Sequence, residues 1–306
     1  MVNSFRHLFI CVRIGVIGFT KERYNSVYMR LGNVELFVVS DGFVRMDGGG
    51  MFGVVPRVLW EKMLAPDEFN RVKTALNCLV IVTREKTILV DTGLGAKLTA
   101  KQEQNFVRKG GSRLLTNLAR IGFLPADIDL VVNTHLHADH AGGNTKRDGA
   151  EIIATFPNAE YWIQRQEFLD ASFPNERTKA TYFADNFIPL ERVCFLRGDT
   201  QITEEVRTLV TPGHTRAHQA VIIESKGEKA IFLGDVAGRT VYLERLAWVP
   251  SYDLEPMVSI ETKRRIREWA YEENILLIFQ HDAVMTLGRL RKEGNEFRVE
   301  RVATDL

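Results

Sequence analysis

Four short apolar runs, each ending a few residues before a histidine or an aspartate, organise this chain. Residues 130–133 lead into Thr134-His135, and Val206–Val210 leads into Thr211-Pro212-Gly213-His214. Residues 229–233 lead into Gly234-Asp235, and residues 275–280 into His281. Runs of this length, bounded by Gly or Pro, predict buried strands. A further strand is predicted over 34–39, and a hairpin joins 76–82 to 87–90 across Thr83-Arg84-Glu85-Lys86. The spacing predicts a helix over 112–122, with Leu115, Leu118 and Ala119 on one face and Gly122 as its stop. A longer helix is predicted over 256–274, charged on one side, with Ile266, Trp269 and Ala270 towards the core. Residues 43–70 show no periodicity and read as a loop. Strands alternating with helices after two early strands predict an α+β protein of two mixed sheets with helices outside.

The residues at the strand ends carry the chemistry. His135 and His137 are two apart, so an extended segment would point both imidazoles the same way. Asp139 and His140 follow at once, and Ala141-Gly142-Gly143 lets the backbone turn tightly against them. With His214, Asp235 and His281 these make seven nitrogen and carboxylate donors. They include five of the seven histidines of the chain. Hydrolytic metal ions take such donors in fixed geometry, and seven suffice for two ions with positions left for water. A lone His-x-His is often a satisfied surface or core pair; four strand-end features in one chain favour a dinuclear site. There is no Gly-x-Ser-x-Gly elbow, and no serine or cysteine nucleophile is needed.

Composition adds exclusions. A net charge of +1 gives no sign of nucleic acid or of an anionic membrane as partner. Cys11, Cys78 and Cys194 are too few and too scattered for a disulfide framework or a thiolate site; Cys78 and Cys194 read as buried thiols. No linker divides the chain, and the ligands themselves tie residue 135 to residue 281. Residues 29–306 are therefore expected to form one domain, with 1–28 an N-terminal extension. Residues 8–19 are apolar but broken by Arg13, too short to span a membrane and without a clear cleavage site. The expected compartment is the cytoplasm.

In this order, His135-x-His137-x-Asp139-His140, His214, Asp235 and His281 resemble the ligand set of the metallo-β-lactamase-fold hydrolases. Leu89-Val90-Asp91-Thr92-Gly93, Thr211-Pro212-Gly213-His214-Thr215 and Phe232-Leu233-Gly234-Asp235 extend the resemblance, which covers residues 31–302. It implies an αββα sandwich, two mixed β-sheets packed face to face, with metals at one edge of the sheets. It also implies that His135, His137 and His214 bind one metal, that Asp139, His140 and His281 bind the other, and that Asp235 bridges. Asp139 and Asp235 are then the expected catalytic carboxylates. Asp91 reads either as orienting the ligand loop or as capping its own turn. His218 reads as a satisfied structural histidine or as a support for the site.

Several branches of that superfamily fit poorly. β-Lactamases generally lack an aspartate at the position of Asp235, flavodiiron enzymes carry glutamate at that of His137, glyoxalase II enzymes add a helical C-terminal domain, and the nucleases need extra domains or a basic exosite. The chain looks most like the lactonase and organophosphate-hydrolase-like group. It departs at Gly238, where the acyl-homoserine lactonases typically carry tyrosine; Tyr242 or Tyr252 could supply a hydroxyl instead. The resemblance implies a metal-bridging hydroxide that cleaves a lactone or other carboxylic ester and allows promiscuous phosphotriesterase activity. Two metals about 3.5–4 Å apart can share such a hydroxide. Two divalent ions are expected, zinc first, with Mn2+, Co2+ or Fe2+ as alternatives. A small molecule is the expected substrate, and a homodimer is allowed. The alternative reading is a one-iron oxidoreductase of the persulfide dioxygenase type; a non-catalytic scaffold ranks lower because no ligand is missing. Gly48-Gly49-Gly50 is not a phosphate loop, since no Gly-Lys follows. Met51, Phe52, Val54, Val55 and Trp60 read as a lid over the metals, or else as part of a flexible surface loop; with Tyr242 and Tyr252, Met51, Phe52 and Trp60 make the expected substrate pocket.

Overall fold

Strands whose two faces are both buried explain the unbroken apolar runs of this chain. In Arg71–Val82, Leu79 and Ile81 join one hydrophobic cluster while Cys78 and Val80 join another. The first cluster also takes Val221, Ile223, Phe232, Leu276 and Ile278, so it lies between two sheets. The second takes Leu114 and Leu118, which places helices on the outer face. This computed structural model describes residues 26–302. Residues 1–25, including Cys11 and most of the expected extension, lie outside the described residues. Ser26–Leu31, three residues of which had been assigned to that extension, is a strand paired antiparallel with Val34–Asp47.

One seven-stranded sheet runs in the order Ser26–Leu31, Val34–Asp47, Arg71–Val82, Thr87–Val90, Leu130–Val132, Glu160–Gln164, Val193–Leu196. Its first pairings are antiparallel and its last three parallel. The other seven-stranded sheet runs from Thr200–Gln201 through Val206–Val210, Gln219–Ser225, Glu228–Phe232, Leu276–Ile278 and Leu287–Glu293 to Glu296–Arg301. Only Glu228–Phe232 and Leu276–Ile278 pair in parallel there. The result is the αββα sandwich expected from the sequence. Pro256–Glu272 packs Ile266 and Ala270 on the outer face of the second sheet, beside Leu277 and Phe279. Among the described residues, no helix is long and apolar enough to cross a membrane.

Three local expectations are corrected. The helix Leu114–Arg120 buries Leu114, Asn117 and Leu118; Leu115 and Ala119 are exposed, because the sheet meets the neighbouring face. Cys194 is only half-buried, being on the edge strand Val193–Leu196. Residues 43–70 are not one loop. The strand from Val34 continues through a bulge at Ser40/Phe43 to Asp47 and is followed by the helices Gly48–Phe52 and Arg57–Trp60. Asp47 caps the first of these by accepting the Gly50 N–H at 3.0 Å. Glycine is required there by close packing, since a Cβ at Gly48 would lie 2.4 Å from the Trp60 ring and one at Gly50 2.7 Å from the Tyr252 hydroxyl.

Candidate metal centre

All four predicted ligand strands end at one edge of the sandwich. Leu130–Val132, Val206–Val210, Glu228–Phe232 and Leu276–Ile278 stop three or four residues short of His135, His214, Asp235 and His281. The ligands thus ride on short loops leaving rigid strands, which holds them with little freedom. His137 is the N-cap of the helix Ala138–Ala141, and that turn presents Asp139 and His140 beside it.

The seven side chains converge as two groups. His135 Nε2 lies 2.9 Å from His137 Nδ1, which lies 3.0 Å from His214 Nε2. In the other group His140 Nε2 and His281 Nε2 are 3.1 Å apart, with Asp139 oxygens at 3.8 and 3.6 Å from them. Asp235 stands between the groups. Its Oδ2 is 3.3 Å from His214 Nε2 and 3.5 Å from His140 Nε2, while its Oδ1 is 3.0 Å from His281 Nε2. The structure therefore brings every sequence-predicted metal ligand together.

The donor chemistry fits cations. His281 Nδ1 faces the Ala75 carbonyl at 2.8 Å and must donate to it. His140 Nδ1 faces Asp91 at 2.9 Å and His214 Nδ1 faces Asp253 at 2.8 Å. The tautomers these partners select leave the Nε2 lone pairs pointing inward. His281 Nε2 then confronts Asp235 Oδ1, a buried oxygen that receives no hydrogen bond. Lone pairs facing one another at such distances repel unless a cation lies among them. The electrostatics agree. Burial, then the neighbouring imidazoles, hold His135 and His137 well below the ordinary imidazole range, in the neutral form that can ligate. For His140 and His214 burial acts in the same downward sense, but it is outweighed by carboxylates, Asp235 foremost, and both are raised. Asp235 is itself held far below the usual carboxylate range despite burial, by His281, His140 and His214. The cluster thus calls for positive charge at its centre.

Supporting residues hold the ligands from behind. Asp91, with φ +55°, accepts the Thr134 N–H and hydroxyl, each at 2.8 Å, besides facing His140, so it orients the ligand loop. His218 accepts the Asp235 backbone N–H at 2.9 Å and faces Thr211 Oγ1 at 2.7 Å; it supports Asp235 without joining the ligands. Sequence reasoning missed Asp253, Glu167 and Asp41. Asp253 is 39 positions from His214, and no local motif marks it. Asp41 is buried, forms an ion pair with Arg108 at 2.7 Å and accepts the N–H groups of Leu94, Gly95, Arg113 and Leu114. Its only signal was the Asp41-Gly42 step.

Above these donor side chains opens a cavity of about 220 Å³. His137, Asp139, His214, Asp235 and His281 form its floor, and Met46, Met51, Phe106, Ala180 and Pro250 form an apolar wall. Tyr242 and Tyr252 also line it. Two expected pocket residues do not reach it. Phe52 and Trp60 are buried in the core, stacked at 4.7 Å, with Trp248 edge-on to Phe52. The lid expectation is corrected at Phe52 and Trp60, which are packed among Tyr242 and Trp248 behind the wall, while Val54 stands exposed to solvent. The departure at Gly238 also has a physical reason, since a Cβ there would come 2.9 Å from Asp235 Oδ1 and 3.0 Å from the His281 ring.

Comparison with known proteins agrees with this fold. Residues 73–259 match the model of the metallo-beta-lactamase superfamily. An N-acyl homoserine lactonase of Bacillus cereus is 28% identical over 216 residues, 67% of this chain and 80% of that protein. A probable metal-dependent hydrolase from Staphylococcus aureus superposes with a TM-score of 0.83 at 30% identity, covering 90% of this chain and all of the other. AidC, a dizinc quorum-quenching lactonase in complex with a product, shares the fold with a TM-score of 0.77 at 21% identity, over 91% of this chain and 97% of its own. With more than half of its length matching that model, the chain belongs to the metallo-beta-lactamase superfamily, as a metal-dependent hydrolase.

Proposed function

We propose that this hydrolase opens lactones, or cleaves other carboxylic esters, at a site that holds two divalent cations. The observation that carries the reading is the convergence of two ligand groups on Asp235 at the floor of a cavity whose wall is apolar. The first group comprises His135, His137 and His214, and the second Asp139, His140 and His281, with Asp235 shared. When bound, the cations supply a hydroxide at neutral pH and Lewis acidity at the carbonyl oxygen.

The side chains do the rest. Asp235 holds the two groups at a set distance and balances their charge. Asp139 has a fifth of its side chain exposed and lines the cavity, so its carboxylate would face the reacting ester from the second group. Met46, Met51, Phe106 and Pro250 exclude water and would take the acyl part of a substrate. The Tyr242 hydroxyl is tied to the Met51 carbonyl at 2.6 Å and fixes that wall, which leaves Tyr252 as the hydroxyl available to a substrate. The Bacillus cereus relative supports a cyclic ester as substrate class.

The test is a panel of lactones, aryl esters and phosphotriesters, assayed after reconstitution with zinc, manganese, cobalt or iron, with metal per chain measured in parallel. Two cations per chain with fastest turnover on lactones is the expected result. One iron per chain, unchanged by added metal and accompanied by oxygen consumption, would favour the one-iron oxidoreductase and sink the proposal.

A further inference from the structure

Glu167 is a fully buried carboxylate that this reaction does not use. It belongs to the helix Arg165–Ser172, and its oxygens accept three hydrogen bonds. The Leu136 N–H donates at 3.0 Å, the Tyr182 hydroxyl at 3.1 Å and the Thr215 hydroxyl at 2.6 Å. Each donor is attached to a metal ligand. Leu136 stands between His135 and His137. Thr215 directly follows His214. Tyr182 pairs its backbone with His137 and has its ring 4.9 Å from the His137 ring. All three therefore serve the group His135, His137 and His214. The second group is held by other means, His140 by Asp91 and His281 by the Ala75 carbonyl.

The same helix is clamped to the His214 loop a second time. Arg216 donates from Nε and Nη2 to the Asp170 carboxylate at 3.1 and 3.0 Å. A carboxylate accepts at several lone pairs and donates none, which suits it to three converging donors from three separate chain segments. Left without it, those donors would be buried and unsatisfied, and the loops they belong to would lose their common reference.

We propose that Glu167 is a positioning residue that joins His135, His137 and His214 into one unit and sets the affinity of that group alone for its cation. This rests on the two-cation reading above. The experiment is a cobalt(II) titration of the full chain after metal removal, followed by visible absorption and elemental analysis, for wild type, Glu167→Ala, Glu167→Gln and Thr215→Val. Loss of such supporting partners typically weakens metal binding by roughly 10–100-fold. Glu167→Ala is expected to weaken one of the two cobalt sites by that factor and leave the other unchanged. Glu167→Gln, which keeps one acceptor oxygen, should fall between, and Thr215→Val should show a smaller shift at the same site even if Glu167→Ala fails to fold. Equal weakening of both sites, or of neither, with two cations in wild type, would overturn the role of Glu167 alone. One cation per wild-type chain would overturn the two-cation reading, and this selectivity with it.

Discussion

The floor and the wall of the cavity are built on opposite principles. The floor collects polar groups that repel or attract one another strongly, held within a few ångströms by hydrogen bonds to Asp91, Asp253 and the Ala75 carbonyl behind them. Its order is electrostatic and local. The wall around Met51 owes its order to packing, with Phe52, Trp60, Tyr242 and Trp248 filling the space behind it. On the proposed function the floor would break the bond and the wall would select the substrate, while the packing behind the wall joins it to the core of the second sheet. Mutations in the two regions should therefore separate, one set changing turnover or metal binding at little cost in stability and the other changing stability or substrate preference with the metal chemistry intact.

The largest effect expected is in the wall. Phe52→Ala removes a fully buried ring, and Phe→Ala in a core typically costs about 3–5 kcal/mol. Denaturant unfolding should show that loss, while the folded fraction keeps its preference among short and long acyl chains. A shift in chain-length preference larger than the stability loss would restore the lid. Next comes Asp235→Asn in the floor. Turnover under saturating metal should drop at least about 100-fold, near 2.7 kcal/mol in barrier, with the unfolding curve little changed. Activity within about threefold of wild type would remove Asp235 from the mechanism.

Asp253→Asn probes support from behind the floor. It removes a charged partner from His214 and should weaken metal binding by roughly 10–100-fold, read by competition with a chelator. Unchanged metal affinity would show that His214 is oriented by packing alone. The smallest effect is reserved for Met46→Ala, on the apolar wall. Discrimination between an acyl chain that reaches the wall and one that does not should fall by roughly 1 kcal/mol, about fivefold in kcat/KM. An equal change on both substrates would place Met46 in support of the floor.

The His135 to His140 run, the strand-end position of His214, Asp235 and His281, and the two-sheet architecture were all legible in the chain, because each rests on local periodicity or on residues near in sequence. A metal ligand must be a His, Asp or similar donor, so its identity alone carries information. The strand over residues 43–47 was not legible, since the bulge at Ser40/Phe43 breaks the period that marks a strand. Nor were Gly48 and Gly50, whose reason is the Trp60 ring and the Tyr252 hydroxyl.

By itself, then, the sequence determined which seven donor side chains come together, in what order, and on what kind of scaffold. Only the tertiary structure decided how they are held and what stands opposite them. Asp253 meets His214 39 positions away, Glu167 meets Leu136 31 positions away and Asp41 meets Leu114 73 positions away, and a buried carboxylate takes its function from the donors that meet it, not from its neighbours in the chain. The same holds for Phe52 and Trp60, whose aromatic character fits a lid or a core equally well until packing seals them behind the wall.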